Sequence, residues 1–275
     1  MALPIKLIAL DIDGTIMDSN FWISDRVKST ILKAINSGIY VVIATGRMYS
    51  ATVPIASGIG IVTPLITYQG SMIREFHEND DILLHHSISP ELSKQIIAEL
   101  RKFEAQINLY LDDEMFIEDE SAILAEYAGR RHIIYHKVNS FDSVAELKPT
   151  KILAMTENPE KATEIKNYLK GKYSDNLYIT KSTPFYVEIV NNKASKGKAI
   201  LFLAQQWGID KSQIMVIGDQ DNDIEMLEVA GIPVAMGNAT EGLKKVAKYI
   251  TDSVDNDGAA AAIEKFALAG NYLYE

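Results

Sequence analysis

Three short apolar runs, each ending in a reactive polar group, constrain this chain more than any other feature. Ile5-Lys6-Leu7-Ile8-Ala9-Leu10 runs into Asp11-Ile12-Asp13-Gly14-Thr15, and Val41-Val42-Ile43-Ala44 runs into Thr45-Gly46-Arg47. The third, Ile214-Met215-Val216-Ile217-Gly218, runs into Asp219-Gln220-Asp221-Asn222-Asp223. Short β-branched runs of this kind predict buried parallel strands. Ligands of open α/β sheets bind outside the carboxyl ends of the strands, so these three polar segments are expected to meet at one edge.

The rest of the chain supports an α/β fold with a doubly wound parallel sheet. Asp25 to Ser37 carries Val27, Ile31 and Ala34 or Ile35 at helical spacing, and Gly38 follows where a C-cap glycine belongs. Pro64 to Tyr68 predicts a third strand, leading through Gln69-Gly70 into a hairpin-like stretch. From about Ile82 the texture changes. A helix is predicted from Pro90 to Phe103, short strands at Ile107–Leu111 and Met115–Ile117, a strand at Lys151–Met155, a helix at Pro159–Leu169, and a strand pair near Leu177–Thr180 and Phe185–Val190. Residues 83–190 therefore read as an inserted α/β domain, with 1–82 and 191–275 forming the core around it. Beyond the insertion the predicted order is a helix from Lys196, the strand ending at Gly218, a helix from Asn222, a short strand Pro233–Met236, and helices from Thr240 and Gly258.

Composition narrows the partners. The net charge of −10 would repel a phosphate backbone, which argues against nucleic acid. With no cysteine, disulfides, thiolate zinc sites and cysteine nucleophiles are excluded. No basic region precedes the first apolar stretch, and Asp11 and Asp13 interrupt it far short of a membrane span, so a soluble, cytoplasmic protein is expected.

Asp11 and Asp13 are two residues apart and share a face if the strand conformation persists. Together with Asp219 and Asp223 they would repel one another unless a cation intervened. Hard oxygen ligands with no histidine among them point to Mg2+. Thr45 and the Gly46 amide are placed at a helix start that favours phosphate, Lys196 follows the N-cap candidate Ser195, and Asn222 adds a neutral donor. This set matches phosphoryl transfer: Asp11 attacks phosphorus, Asp13 serves first as acid and then as base, and Mg2+ and Lys196 stabilise the transferring group.

These motifs resemble the haloacid dehalogenase (HAD) superfamily of phosphatases. Asp11-Ile12-Asp13-Gly14-Thr15 is similar to its first motif, Thr45 to its second, Lys196 to its third, and Gly218-Asp219-Gln220-Asp221-Asn222-Asp223 to its fourth. Ala44-Thr45-Gly46-Arg47, Ser195-Lys196-Gly197, Val234-Ala235-Met236-Gly237-Asn238-Ala239 and Asp257-Gly258 are similar to the Cof-like branch, whose larger α/β cap the insertion resembles in size and texture. The resemblance implies a Rossmann-like core with an inserted cap and Mg2+ held by the Asp11 and Asp219 carboxylates and the Asp13 carbonyl, with Asp223 supporting. It also implies phosphate meeting the Ile12 amide, Thr45, Gly46, Lys196 and Asn222. Gln69-Gly70 departs from the Asn-Gly usual in that branch.

The expected function is Mg2+-dependent hydrolysis of a small phosphorylated metabolite, sugar phosphates foremost, by a monomer or homodimer. A phosphomutase using the same intermediate and a non-catalytic sensor of phosphorylated ligands are the alternatives. Tyr186, Glu188 and Arg47 are candidates for substrate contact. Other features have simpler readings. Asp219, Asp221 and Asp223 imitate a calcium loop, but Ile224 and Ala230 stand where it needs Gly and Glu, and Asp221 is expected to face solvent. His132 and His136 are separated by strand-favouring residues, His85-His86 is placed at the domain boundary, and Asp112–Glu114 and Glu118–Glu120 read as solvated surface.

Overall fold

The computed structural model describes residues 4–77, 79–146 and 148–269; the outer ends expected for the core, 1–3 and 270–275, lie outside them. The chain opens with β1 (Leu7–Leu10), α1 (Asp25–Asn36), β2 (Tyr40–Ile43), α2 (Tyr49–Ile59), β3 (Leu65–Thr67), β4 (Met72–Arg74) and β5 (Ile82–His85). Next come α3 (Pro90–Arg101), β6 (Gln106–Leu111), β7 (Glu114–Ile117), α4 (Ala122–Arg131), β8 (Tyr135–Lys137), a helical turn α5 (Asp142–Ala145) and β9 (Lys151–Met155). Then follow α6 (Pro159–Tyr173), β10 (Leu177–Thr183), β11 (Tyr186–Asn191), α7 (Lys196–Gln206), β12 (Ile214–Gly218), α8 (Ile224–Glu228), β13 (Ile232–Ala235), α9 (Glu241–Val246), β14 (Tyr249–Ile250) and α10 (Gly258–Ile263).

Local chemistry sets these elements. In α1 the Ser24 hydroxyl accepts from the Val27 amide as N-cap, Val27, Ile31 and Ala34 are buried along one stripe, and Gly38 adopts φ +82° just past the end. The apolar strands β1, β2 and β12 are buried almost throughout, as both-face burial in a parallel sheet requires.

The core sheet is parallel, in the order β14-β13-β12-β1-β2. Chain order reverses at β1, which pairs with β2 on one side and β12 on the other. Leu10 lies level with both Ile43 and Ile217, so the polar segments that follow these strands emerge side by side at the switch point.

The third predicted strand forms and leads into the expected hairpin, but it stands mostly outside the parallel sheet. β3 pairs antiparallel with β4 in a separate three-stranded sheet and touches the parallel sheet through one bridge, Ala44 with Ile66. The turn that follows it sets the direction of β4: Tyr68, Gln69 and Gly70 take φ of 52°, 60° and 86°, reversing the chain at once. A parallel crossover needs a dozen or more residues.

The inserted segment forms a six-stranded, mainly antiparallel sheet in the order β10-β11-β9-β6-β7-β8. Side chains alternate between its faces. Ile107, Leu109, Ile152, Val187 and Ile189 pack against Ile96 and Leu100 of α3 and Ile165 and Leu169 of α6. On the opposite face Tyr110, Lys151, Leu153, Tyr186 and Glu188 look toward the carboxyl edge of the parallel sheet, where Tyr110 and Leu153 join the core's own apolar cluster.

Candidate active site

At the switch point Asp11, Asp219 and Asp223 each offer a carboxylate oxygen within 4.8 Å of the others. Lys196, the first residue of α7, is buried with its Nζ 2.6 Å from Asp11 Oδ1 and 2.6 Å from Asp223 Oδ1. Asp223 Oδ2 accepts from the backbone amides of Asp219 (2.9 Å) and Gln220 (3.1 Å), so both its oxygens hold the loop together. The Thr15 hydroxyl and the Gln220 side-chain amide donate to Asp219 at 3.3 and 2.9 Å. Close packing explains two glycines: a Cβ on Gly14 (φ +79°) would fall 2.3 Å from Asp219 Oδ2, and one on Gly70 (φ +86°) 2.3 Å from the Ser195 carbonyl oxygen.

The acids differ in their electrostatics. Burial, then the charges of Asp223 and Asp219, raise the Asp11 carboxyl well above its usual range despite the opposing pull of Lys196. Burial and the Asp223 charge push Asp219 up to about 7. For Lys196 burial works against the ammonium, but Asp11 and Asp223 outweigh it and hold it charged. Three buried carboxylates against one lysine form an all-oxygen donor set whose excess negative charge a divalent cation would neutralise.

Asp13 stands apart from that cluster. Its carboxylate is held by Arg47, Nε to Oδ2 at 2.8 Å and Nη2 to Oδ1 at 2.6 Å. Burial would raise Asp13, yet the Arg47 hydrogen bonds and charge, with Arg131 adding to them, leave it below the usual range. Thus β1 ends at Leu10, and the two aspartates line one cavity with separate counter-charges rather than sharing a strand face as a like-charged pair.

The second strand end also departs from the sequence expectation. Thr45 and Gly46 line the cavity, but α2 begins only at Tyr49. Its N-cap residue Met48 makes no side-chain cap; instead Asp113 of the inserted sheet accepts from the Tyr49 and Ser50 amides, both at 2.8 Å, and from the Tyr68 hydroxyl at 2.6 Å. The amides at the start of α2 are therefore taken by a carboxylate from the facing unit, and the Gly46 amide expected to meet phosphate precedes the helix instead of opening it. Asp112 and Glu114 are exposed as expected, but the reading of this turn as solvated surface is corrected at Asp113: the turn, left-handed at Asp112 (φ 49°) and Asp113 (φ 61°), aims Asp113 at the start of α2. Glu118 is likewise tied down, accepting from the Phe141 amide at 2.7 Å. Asp221 is exposed, as expected, and accepts from Thr240.

Asn222 donates to Gln69 Oε1 at 3.1 Å and the Gln69 side chain packs against Gly46, while Asn222 Oδ1 and Gln69 Nε2 are buried without partners. The Ile12 carbonyl accepts from the amides of Thr15, Ile16 and Met17, which closes the turn after β1. Above, Lys151 Nζ donates to the Gly46 carbonyl at 2.7 Å, lies 3.2 Å from Glu188, and sits 4.5 Å over the Tyr110 ring. The inner cavity between these layers is small, about 60 Å3, and opens into a vestibule of about 470 Å3 that shares Asp13, Tyr127, Arg131, Ser182, Thr183 and Tyr186.

Sequence reasoning missed Asp113, Lys151 and Arg131. Lys151 left a trace as the lone charge opening the apolar strand Lys151–Met155; Arg131 and Asp113 carry no such signal. His132 caps the end of α4 in a left-handed conformation (φ 53°), and His136 on β8 pairs with Glu114 at 3.3 Å. Among the described residues the aspartate triad is the one group of His, Cys, Asp and Glu placed to hold a metal.

A doubly wound sheet, an inserted α/β cap and an acid cluster at the switch point define a Rossmann-like hydrolase. The model of the haloacid dehalogenase-like hydrolase family matches residues 8–263, and the chain belongs to that family. It is similar to a Streptococcus pyogenes protein with a provisional phosphatase name, 31% identical over 97% of this chain and 100% of the relative. It is also similar to the Bacillus subtilis 5-amino-6-(5-phospho-D-ribitylamino)uracil phosphatase YitU, 28% identical over 94% of this chain and 97% of the relative. A crystal structure from Thermotoga maritima superposes with a TM-score of 0.80 at 30% identity, over 95% of this chain and 97% of that one. The chain is a phosphatase of this family, acting on a phosphorylated small molecule. No helix among the described residues is long and apolar enough to cross a membrane.

Proposed function

We propose that this phosphatase hydrolyses sugar and polyol phosphates with Mg2+ bound, through a phosphoryl group carried on Asp11. The observation that carries the reading is the cluster of Asp11, Asp219 and Asp223, with Lys196 bridging Asp11 and Asp223, at a small cavity that Asp11 and Asp13 both line. Mg2+ would be held by the Asp11 and Asp219 carboxylates and the Asp13 carbonyl, with Asp223 supporting, and would supply neutralisation of charge on the transferring group.

Lys196 grips Asp11 through Oδ1, leaving Oδ2 free to attack phosphorus in line. As that bond forms, the bond to the leaving oxygen breaks and the departing alkoxide takes a proton from Asp13. Asp13 then removes a proton from the water that cleaves the aspartyl phosphate, releasing inorganic phosphate and restoring both carboxyl groups. The Arg47 pair suits the basic half of this cycle and resists the acidic half, so Arg47 must slacken when substrate is seated. Thr45, Asn222, Lys196 and the amides of Ile12 and Gly46 are the proposed phosphate donors. Residues 83–190 act as the cap that closes over them and excludes water.

Two features favour a polyol leaving group. The vestibule wall carries the hydroxyls of Ser182, Thr183, Tyr127 and Tyr186, and YitU is named for a substrate with a phosphorylated ribityl chain. A panel of sugar, polyol and nucleotide monophosphates assayed for phosphate release with Mg2+ and with EDTA tests this. Expected are Mg2+-dependent release from sugar or polyol esters and a loss of at least about a thousandfold in kcat for Asp11→Asn. Release from no member, or an Asp11→Asn enzyme with its rate intact, would overturn it.

A further inference from the structure

We propose that Arg131 receives an anionic group on the leaving half of the substrate, so that preferred substrates carry a carboxylate or a second phosphate beyond the scissile one. This rests on the phosphatase reading above and narrows its substrate class.

Three cations line the small cavity: Arg47, Lys151 and Arg131. Arg47 is committed to Asp13 through two hydrogen bonds, and Lys151 to Glu188 and the Gly46 carbonyl. Arg131 makes no hydrogen bond and no ion pair among the described residues, although its guanidinium has five donors in a planar fork. It lines both the inner cavity and the vestibule, so it stands where the leaving group must pass.

Its position is built rather than incidental. The guanidinium is stacked 4.5 Å from the Tyr127 ring centroid and 5.5 Å from that of Phe21. Phe21 also lies under Arg47 at 5.6 Å and Arg130 at 5.0 Å, and Arg130 is anchored by donating to the Ser19 carbonyl at 2.8 Å. To present this ring Phe21 adopts φ +63°, a left-handed conformation that is strained for a bulky side chain. The Asp18 carboxylate holds that turn by accepting from the Asn20 and Trp22 amides at 2.9 and 2.8 Å. Strain is thus retained to fix an arginine whose donors point at no protein acceptor, beside the aspartate that meets the leaving oxygen. A planar guanidinium matches carboxylate and phosphate through two parallel hydrogen bonds, a pairing a neutral hydroxyl does not offer.

Two matched substrate pairs test the assignment. 6-Phosphogluconate differs from glucose 6-phosphate by a carboxylate, and fructose 1,6-bisphosphate from fructose 6-phosphate by a phosphate. In the full-length Mg2+-loaded enzyme the anionic member of at least one pair is expected to have a kcat/KM higher by about tenfold, expressed mainly in KM, the scale of one charge-assisted hydrogen bond. Which pair responds identifies carboxylate or phosphate. Arg131→Gln should bring that ratio toward one and Arg131→Lys restore part of it, with thermal melts reporting whether each variant is folded. A ratio near one in the unaltered enzyme for both pairs, or a ratio that survives in Arg131→Gln, overturns the assignment. Release from none of the four esters nor from p-nitrophenyl phosphate would instead bring down the underlying hydrolase reading.

Discussion

The carboxyl edge of the parallel sheet and the cap wall that faces it meet across one cavity, yet they are built differently. On the edge, each acid follows a buried strand or its loop, and Asp11 and Asp223 share a single counter-ion, Lys196. On the wall, polar groups come from strands, a turn and the end of α4, each with its own arrangement: Lys151 with Glu188, Asp113 with the start of α2, Arg131 on its aromatic platform. The edge is collective, so one substitution disturbs every member. The wall is pairwise, so its residues can be altered singly without disturbing the acid cluster.

Lys196→Met is the strongest attempt to break this contrast. Removing the one cation leaves Asp11, Asp219 and Asp223 buried without compensation, a situation that costs about 3–5 kcal/mol when one partner of a buried pair is lost. Activity should fall by at least about a hundredfold, and the melting temperature in EDTA should drop far more than in Mg2+, since a divalent cation replaces part of the missing charge. Equal destabilisation with and without Mg2+ would mean that the three acids do not share a metal.

A second test uses pH. In the metal-free protein Asp219 is pushed up to about 7 from an ordinary 3.8, by burial and then by Asp223. Between those values the folded state keeps a proton that the unfolded chain has released, so stability falls as pH rises through the window and levels off above it. Asp11 moves in the same direction. Asp13 runs the other way: its carboxyl is lowered, so its contribution is present above 3.8 and lost only as pH falls through its folded value. Melting in EDTA should therefore drop by roughly 5–10 °C between about pH 5 and pH 7.5, with saturating Mg2+ flattening the slope. A flat profile in EDTA would show that folding does not raise the Asp219 and Asp11 carboxyls.

The contrast also explains what was legible. Edge residues could be read because a buried strand is visible as an apolar run and its end as the first polar residues after it; Asp11, Thr45 and Asp219 were located in that way. The wall could not be read in full, because its residues become neighbours of the site only through the docking of a whole sheet. The alternation that sends Lys151 and Leu153 toward the core and Ile152 toward α3 and α6 is plain only when both faces are known to be covered. Asp112-Asp113-Glu114 has the composition of an ordinary exposed turn, and no local pattern shows that Asp113 will cap α2 from another unit. β3 and the hairpin after it were legible as an apolar run and a Gln-Gly turn, but the left-handed geometry at Tyr68 and Gln69 is spelled with residues seldom chosen for φ above zero.

Asp113→Ala should have the smallest effect, and it sharpens the contrast most finely. The substitution frees the Tyr49 and Ser50 amides and the Tyr68 hydroxyl, so the start of α2 and the cap loosen from each other together. Loss of a carboxylate N-cap is worth about 1 kcal/mol, or a few degrees of melting temperature in a chain this long. None of the freed groups belongs to the acid cluster, and the Lys151 donation to the Gly46 carbonyl is a separate tie. KM should accordingly rise by a few-fold while kcat stays within about twofold, because the closed cap becomes less populated but is chemically intact once formed. Asp113→Asn, which keeps an acceptor oxygen without the charge, should fall between the two proteins. If Asp113→Ala instead cut kcat as deeply as Lys196→Met, the wall would be as collective as the edge, and the division of labour across the cavity would have to be given up.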